Sequence, residues 1–154
     1  MTALLGEYEA TLDAKGRFLL PAGLKKQLPE EEGGSSFVLN RGFEKCLVLW
    51  PKMKWELIIE KLSKLNDFDP KVRQFKLQFL GGATEVTLDS AGRMLLPPSL
   101  KDYANLSKDI VLACDIDKVK IWDAARYKQF FENISPEDFS QLASEVMGGG
   151  NIEL

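Results

Sequence analysis

Apolar and polar positions alternate along Tyr8-Glu-Ala-Thr-Leu12, the two-residue period of a strand with one buried face. The period breaks at Asp13-Ala-Lys-Gly16. Asp can bond its own backbone and Gly can take positive φ, so a turn is predicted there. Arg17-Phe-Leu-Leu20 returns as a second strand, Pro21 ends it, and Ala22 to Leu28 reads as a short helix. Pro29 and the acidic Glu30-Glu-Glu-Gly-Gly-Ser-Ser36 read as a loop. Phe37-Val-Leu39 and Cys46-Leu-Val-Leu-Trp50 read as strands around Arg41-Gly-Phe-Glu-Lys45. The period then lengthens to that of a helix. Pro51 suits a first turn, and Trp55, Ile58, Ile59, Leu62 and Leu65 make an apolar stripe. Asp69-Pro70 opens another helix, with Val72, Phe75 and Phe79 on one face and Gly81-Gly82 as its stop.

The same order then recurs. A strand from Thr84 to Leu88 leads to a turn from Asp89 to Gly92 and a strand from Arg93 to Leu96. Pro97 and a short helix precede strands Ile110–Ala113 and Lys118–Trp122. Asp123 is expected to cap a helix with Tyr127, Phe130, Phe131 and Ile134 inward. Ser135-Pro136-Glu-Asp138 is a helix start with acids in its first turn, and Phe139, Leu142, Ala143 and Val146 form its expected inner face. The unit is strand, strand, short helix, strand, strand, helix, helix, twice. Its sequence repeats too: Glu9–Lys25 returns as Glu85–Lys101, with eleven of the seventeen positions identical. A duplicated unit dictates the fold, and two copies favour an internal pseudo-dimer over a solenoid. The predicted organisation is a first repeat over 1–82, a second over 83–147 and a flexible tail over 148–154. Each repeat alone is near the size at which one core is marginal, so the two should share a core.

Composition narrows the function. The chain has 154 residues, 45% hydrophobic and 28% charged, as in a soluble globular protein. No apolar run approaches a membrane span. Met1-Thr-Ala-Leu-Leu-Gly6 lacks the features of a signal peptide. There is no histidine, which removes Ser-His-Asp and Cys-His catalysis and every imidazole-dependent zinc site. Cys46 and Cys114 fall at unmatched repeat positions and read as structural thiols. Paired-carboxylate catalysis by Asp13 and Asp89 is disfavoured, because both occupy turns that want Asp for shape. The expectation is a protein with no catalytic residues, no metal and no cofactor.

Charge is uneven. Residues 1–76 hold 13 Lys/Arg against 11 Asp/Glu, a net of +2, and residues 77–154 hold 7 against 12, a net of −5. A polyanion should therefore prefer the first half. Within the duplicated turns, Asp13, Gly16, Asp89 and Gly92 are assigned structural roles. Arg17, with Lys15 beside it, is assigned to an external anion, where a guanidinium can grip phosphate or read guanine edges. Arg93 is its counterpart in the second turn. Lys15 corresponds to Ala91, Lys26 to Asp102 and Arg41 to Cys114, so each difference leaves the second copy less basic.

These residues resemble a known family. Leu12-Asp-Ala-Lys-Gly-Arg-Phe-Leu-Leu-Pro21, Leu88-Asp-Ser-Ala-Gly-Arg-Met-Leu-Leu-Pro97, Asn40-Arg-Gly-Phe-Glu-Lys-Cys-Leu47 and Ile121-Trp-Asp123 are similar to the MraZ family, bacterial regulators of the division and cell-wall gene cluster. The resemblance covers nearly the whole chain. It implies an α+β fold in which two tandem AbrB-like swapped-hairpin units make a pseudo-dimeric small β-barrel with appended helices. It implies sequence-specific binding to double-stranded DNA at promoter repeats, including those of the protein's own operon. It further implies a homo-oligomeric ring, in a cytoplasmic, nucleoid-associated protein with no membrane partner and no small-molecule substrate. In that family the Asp-x-x-x-Arg loops face DNA. Arg17 is the best carried-over contact and Lys15 fits the family's basic position. Ala91 departs from it and puts the DNA role of the second loop, with Arg93, in question. The acidic stretch Glu30–Glu32 is outside the matched pattern. Two other readings compete. One is an AbrB-like antitoxin, against which the amphipathic segment Ser135–Met147, expected to be packed, counts. The other is a protein-binding scaffold without a DNA role, suggested by the acidic second half.

Overall fold

A computed structural model describes residues 3–29 and 36–148. The acidic stretch Glu30–Glu32 and residues 149–154 of the expected tail lie outside the described residues. The elements follow the predicted order. The first set is β1 (Glu7–Thr11), β2 (Arg17–Leu19), α1 (Ala22–Gln27), β3 (Ser36–Arg41), β4 (Leu47–Pro51), α2 (Lys52–Ser63) and α3 (Pro70–Gly81). The second is β5 (Thr84–Thr87), β6 (Arg93–Leu95), α4 (Pro98–Tyr103), β7 (Asp109–Asp115), β8 (Lys118–Asp123), α5 (Ala124–Glu132) and α6 (Pro136–Met147). Proline stands immediately before α1, α2 and α4 (Pro21, Pro51 and Pro97), with an extended ψ near 135–140°. It has no N–H for a strand ladder, and its fixed φ already suits a helix start. Asp69 and Ser135 cap α3 and α6 with their side chains, the latter in a reciprocal capping box with Asp138.

Strand pairing crosses between the repeats. The main sheet runs β1-β7-β8-β4-β3-β5. Tyr8 of the first repeat lies opposite Leu112 of the second, and Thr84 of the second lies opposite Leu39 of the first. The centre is the antiparallel pair β4·β8, with Val48 opposite Lys120. β2 and β6, the two return strands, pair with each other as a short separate ribbon, with one further bridge from Met94 to Leu88. This arrangement has the approximate two-fold symmetry expected of an internal pseudo-dimer. The barrel is a correction: among the described residues the six-stranded sheet is open, ended by β1 and β5, and no closed barrel is found.

One core serves both repeats. Phe37, Leu39, Leu47 and Leu49 of the first and Ile110, Leu112, Val119 and Ile121 of the second are buried in one cluster. Phe18 and Met94 from the ribbon and Leu24 and Leu100 from α1 and α4 join it. Alternation explains the selection: Phe18 and Met94 are the middle residues of three-residue strands whose neighbours point outward. On the other side of β3 and β4, Trp50 donates from Nε1 to Asn40 Oδ1 at 2.9 Å, and Asn40 Nδ2 donates to the Phe79 carbonyl at 3.2 Å. Trp55 stacks on Phe79 with centroids 5.5 Å apart, so α2 and α3 are held to the sheet by an aromatic ladder.

The described residues form two compact units, one within 1–124 and one within 125–154. In the second, the expected inward packing is overturned. Phe130, Phe131, Phe139, Leu142 and Val146 are all more than half exposed; only Tyr127 and Ala143 among the expected inner residues are half-buried, and Ile134 is exposed at the margin. Helical periodicity identifies one face, but a face is buried only if something covers it. The packing argument against an antitoxin falls with it. Asp123 is buried and accepts from the Ser107 backbone N–H at 3.0 Å.

Candidate nucleic-acid interface

Each duplicated turn is built around one aspartate. Asp13 Oδ1 accepts from the backbone N–H of Lys15 and of Arg17, both at 2.9 Å. Its backbone N–H donates to the Arg17 carbonyl at 2.8 Å, and the Gly16 N–H donates to the Asp13 carbonyl at 3.0 Å. Gly16 has φ +82°, a region where a side chain would be strained. The second turn repeats every bond: Asp89 Oδ1 accepts from Ala91 and Arg93 N–H at 2.9 Å, and Gly92 has φ +81°. Asp13, Gly16, Asp89 and Gly92, the residues assigned to turn structure, are the ones that make these bonds and take these φ values.

The same carboxylates also hold the arginines. Arg17 Nε donates to Asp13 Oδ2 at 2.9 Å, and Arg93 Nε donates to Asp89 Oδ2 at 3.1 Å. Nε is thereby occupied, and a guanidinium held at Nε has its two Nη groups as further donors. The Arg17 N–H, followed by its guanidinium and the Lys15 N–H, holds the Asp13 carboxyl below the usual carboxylate range, against opposing desolvation. Asp89 is lowered in the same way, chiefly by the Arg93 N–H. These pairs are partly exposed, so their contribution is geometric more than energetic. In each turn one aspartate does both things: one oxygen bonds the turn's N–H groups and the other holds the arginine.

The ribbon brings the turns together. Arg17 lies opposite Leu95, Phe18 opposite Met94, and Leu19 opposite Arg93. The Leu20 N–H donates to the Gly92 carbonyl at 3.1 Å, and the Leu96 N–H donates to the Gly16 carbonyl at 3.0 Å. Arg17 and Arg93 are diagonal neighbours on the outward face, about 7–8 Å apart at the backbone. Lys15 is exposed at the tip of the first turn and Ala91 at the tip of the second. Lys25 and Lys26 occupy the last turn of α1, and Lys101 that of α4. If each Asp–Arg pair is counted as neutral, the first turn keeps the positive charge of Lys15 and the second keeps none.

Sequence reasoning missed two residues of this face. Leu19 and Leu95 are 60% and 54% exposed beside the arginines. The signal was the alternation itself: in Arg-Phe-Leu and Arg-Met-Leu, burying the middle residue sends the leucine outward with the arginine. Cys46 is buried and its thiol is pushed up to about 11 by that burial, and burial raises Cys114 as well, so neither is poised as a nucleophile. Among the described residues, no group of three metal-binding side chains comes together. No helix there is long and apolar enough to cross a membrane.

Comparison with known proteins matches both repeats to one family. The family model described as "MraZ protein, putative antitoxin-like" matches twice, over residues 3–78 and 79–148. A protein of Christiangramia forsetii named "Transcriptional regulator MraZ" is 41% identical, covering 99% of this chain and 98% of its own length. Relatives of the same name from Flavobacterium psychrophilum and Cytophaga hutchinsonii are 40% and 43% identical, over 98% and 92% of this chain and 96% and 93% of their own lengths.

Proposed function

The chain belongs to the MraZ family, and from that premise we propose that it is a transcriptional regulator that binds double-stranded DNA through the β2·β6 ribbon and its two turns. It is not an enzyme. The observation that carries the reading is the pair of aspartate-held arginines on one outward face. A two-stranded ribbon fits the major groove, where arginine pairs with the O6 and N7 of guanine. Arg17 is the principal contact, Lys15 adds a phosphate contact, and Arg93 makes a weaker second contact. The DNA sites are repeats in the promoter of the division and cell-wall gene cluster, the protein's own operon included, which places the protein in the cytoplasm on the nucleoid. The two repeats, 1–82 and 83–147, act as fused AbrB-like swapped-hairpin units, a reading supported by the exchange of β1 and β5.

One ribbon offers few phosphate contacts, so its non-specific affinity would be only ~10⁻⁴–10⁻⁶ M at physiological salt. Several ribbons on a homo-oligomeric ring would raise this by ~10²–10⁴ through effective concentration. The exposed apolar side chains of α2 and α3 (Met53, Leu57, Leu77) and those of α5 and α6 are the surfaces such a ring would use. With only one edge of the ring facing DNA, a net charge of −3 is compatible with binding.

An electrophoretic shift with the DNA upstream of the protein's own gene tests the reading, paired with light scattering on the same sample. The expected result is a salt-sensitive shift by a species larger than a dimer. A protein that leaves this DNA unshifted at low salt would overturn the DNA assignment. A monomer at micromolar concentration would overturn the ring.

A further inference from the structure

The ribbon's outward face carries two arginines and two leucines, in a fixed order. Leu95 stands across from Arg17 and Leu19 across from Arg93. Both leucines are more than half exposed, although outward strand positions facing water are ordinarily polar. Leu19 leans toward the second turn, its Cδ1 3.7 Å from where a Cβ on Gly92 would sit. The two repeats differ at buried Phe18 and Met94, yet both keep leucine at this exposed position. Nothing in the shared core requires that.

We propose that Leu19 and Leu95 are specificity-determining residues of the DNA interface, each packing on the C5-methyl group of a thymine beside the base pair read by the arginine opposite it. This rests on the DNA-binding reading above and deepens it. The thymine methyl is an apolar group on the floor of the major groove; the minor groove has none. An arginine and a leucine side by side thus match a guanine and a neighbouring thymine, a polar contact next to an apolar one. The approximate two-fold symmetry of the ribbon supplies the match twice. A leucine carries no charge, so this contribution reads sequence and leaves counterion release unchanged.

The test uses the full chain and one DNA, the region upstream of the protein's own gene, amplified either with dTTP or with dUTP. The two products differ only by the C5-methyl groups. The wild-type protein should bind the thymine DNA more tightly, by about fourfold for each methyl buried. The double variant Leu19→Ser/Leu95→Ser should bind both DNAs alike while keeping the wild-type salt slope. Equal wild-type affinity for the two DNAs overturns the proposal, and that comparison needs no variant to fold. A variant that still prefers thymine overturns it too. If the leucines instead meet a second copy of the chain, the variant changes its mass in light scattering and the thymine preference persists. Failure of the wild type to bind either DNA is a different result, and removes the DNA-binding reading itself.

Discussion

At the first turn Asp13 Oδ2 lies 2.9 Å from Arg17 Nε, with Lys15 at the exposed tip. At the second, Asp89 Oδ2 lies 3.1 Å from Arg93 Nε, and the tip is Ala91. Every hydrogen bond that shapes the backbone occurs in both. What differs are the two middle side chains, which the backbone does not need: Ala14 and Lys15 in the first turn, Ser90 and Ala91 in the second, and only the lysine brings a charge. Aspartate and glycine are fixed by the turn, because Oδ1 must meet two N–H groups and φ must be positive. A lysine at the tip meets no such demand. Duplication thus helps to separate two kinds of requirement that a single copy would leave mixed: the shared aspartates and glycines are explained by the shape of the turn, whereas a charge found in one turn only is not.

The sharpest way to break this contrast is at the arginines. Arg17→Ala should cost the largest share of DNA affinity, about 1–3 kcal/mol for the bidentate pairing removed from each loop, multiplied over the subunits engaged. Titration of the folded variant with promoter DNA measures it, and unchanged affinity would take the first turn out of the interface. Arg93→Ala should lose less, because no neighbouring lysine anchors that turn to phosphate. Equal losses would make the turns a symmetric pair, and a larger loss at Arg93 would reverse the assignment.

A smaller effect sharpens the contrast at the tips. Lys15→Ala should flatten the plot of log affinity against log salt by about 0.9, and Ala91→Lys should steepen it by about 0.9, the slope that a single neutralised phosphate supplies. If neither slope moves, the tips do not reach phosphate. The smallest effect tests the half of the comparison in which the turns are alike. Both carboxyls are held below their ordinary value, so their stabilising contribution is present above the unfolded pKa and is lost as pH falls through the folded pKa. Asp13→Asn and Asp89→Asn should each lower stability slightly at neutral pH, by similar amounts. The gap from the parent protein should close as the solution is acidified below the ordinary carboxylate range. Denaturant unfolding at pH 7 and in acid checks this. A difference confined to one turn would mean that the two skeletons are not equivalent.

Much of this molecule was legible in its sequence because the repeat supplied a second reading of every local signal. Pro21 and Pro97 marked strand ends, Asp13 and Asp89 the turns, and the order of elements followed. The partners of β1 and β5 were not legible. Tyr8-Glu-Ala-Thr-Leu12 shows that one face is buried, but alternation does not say which repeat provides the neighbouring strand. Phe130 and Phe139 show the converse failure. Their spacing marks an apolar face, and only tertiary structure reveals that the described chain leaves it exposed. On the ribbon, Arg17 and Lys15 stand out in the sequence by their charge, whereas Leu19 carries no chemical flag and only the alternation of a three-residue strand sends it outward.

The crossing of β1 to β7 has a consequence in time. Tyr8 finds its partner only when Leu112 has been made, and at about 5–20 residues per second that wait on the ribosome lasts roughly 5–20 s. Until then the first repeat holds β1 without β7 and β4 without β8, while β5, already made, can pair with β3. Its apolar edges stay open for far longer than the microseconds in which a hairpin closes. The sheet is therefore completed only after β7 and β8 have been made. In the interval, the half most similar to what it lacks is the corresponding half of another nascent chain, and exchange of strands between neighbouring polypeptides on one messenger is the misfolding route that this topology opens.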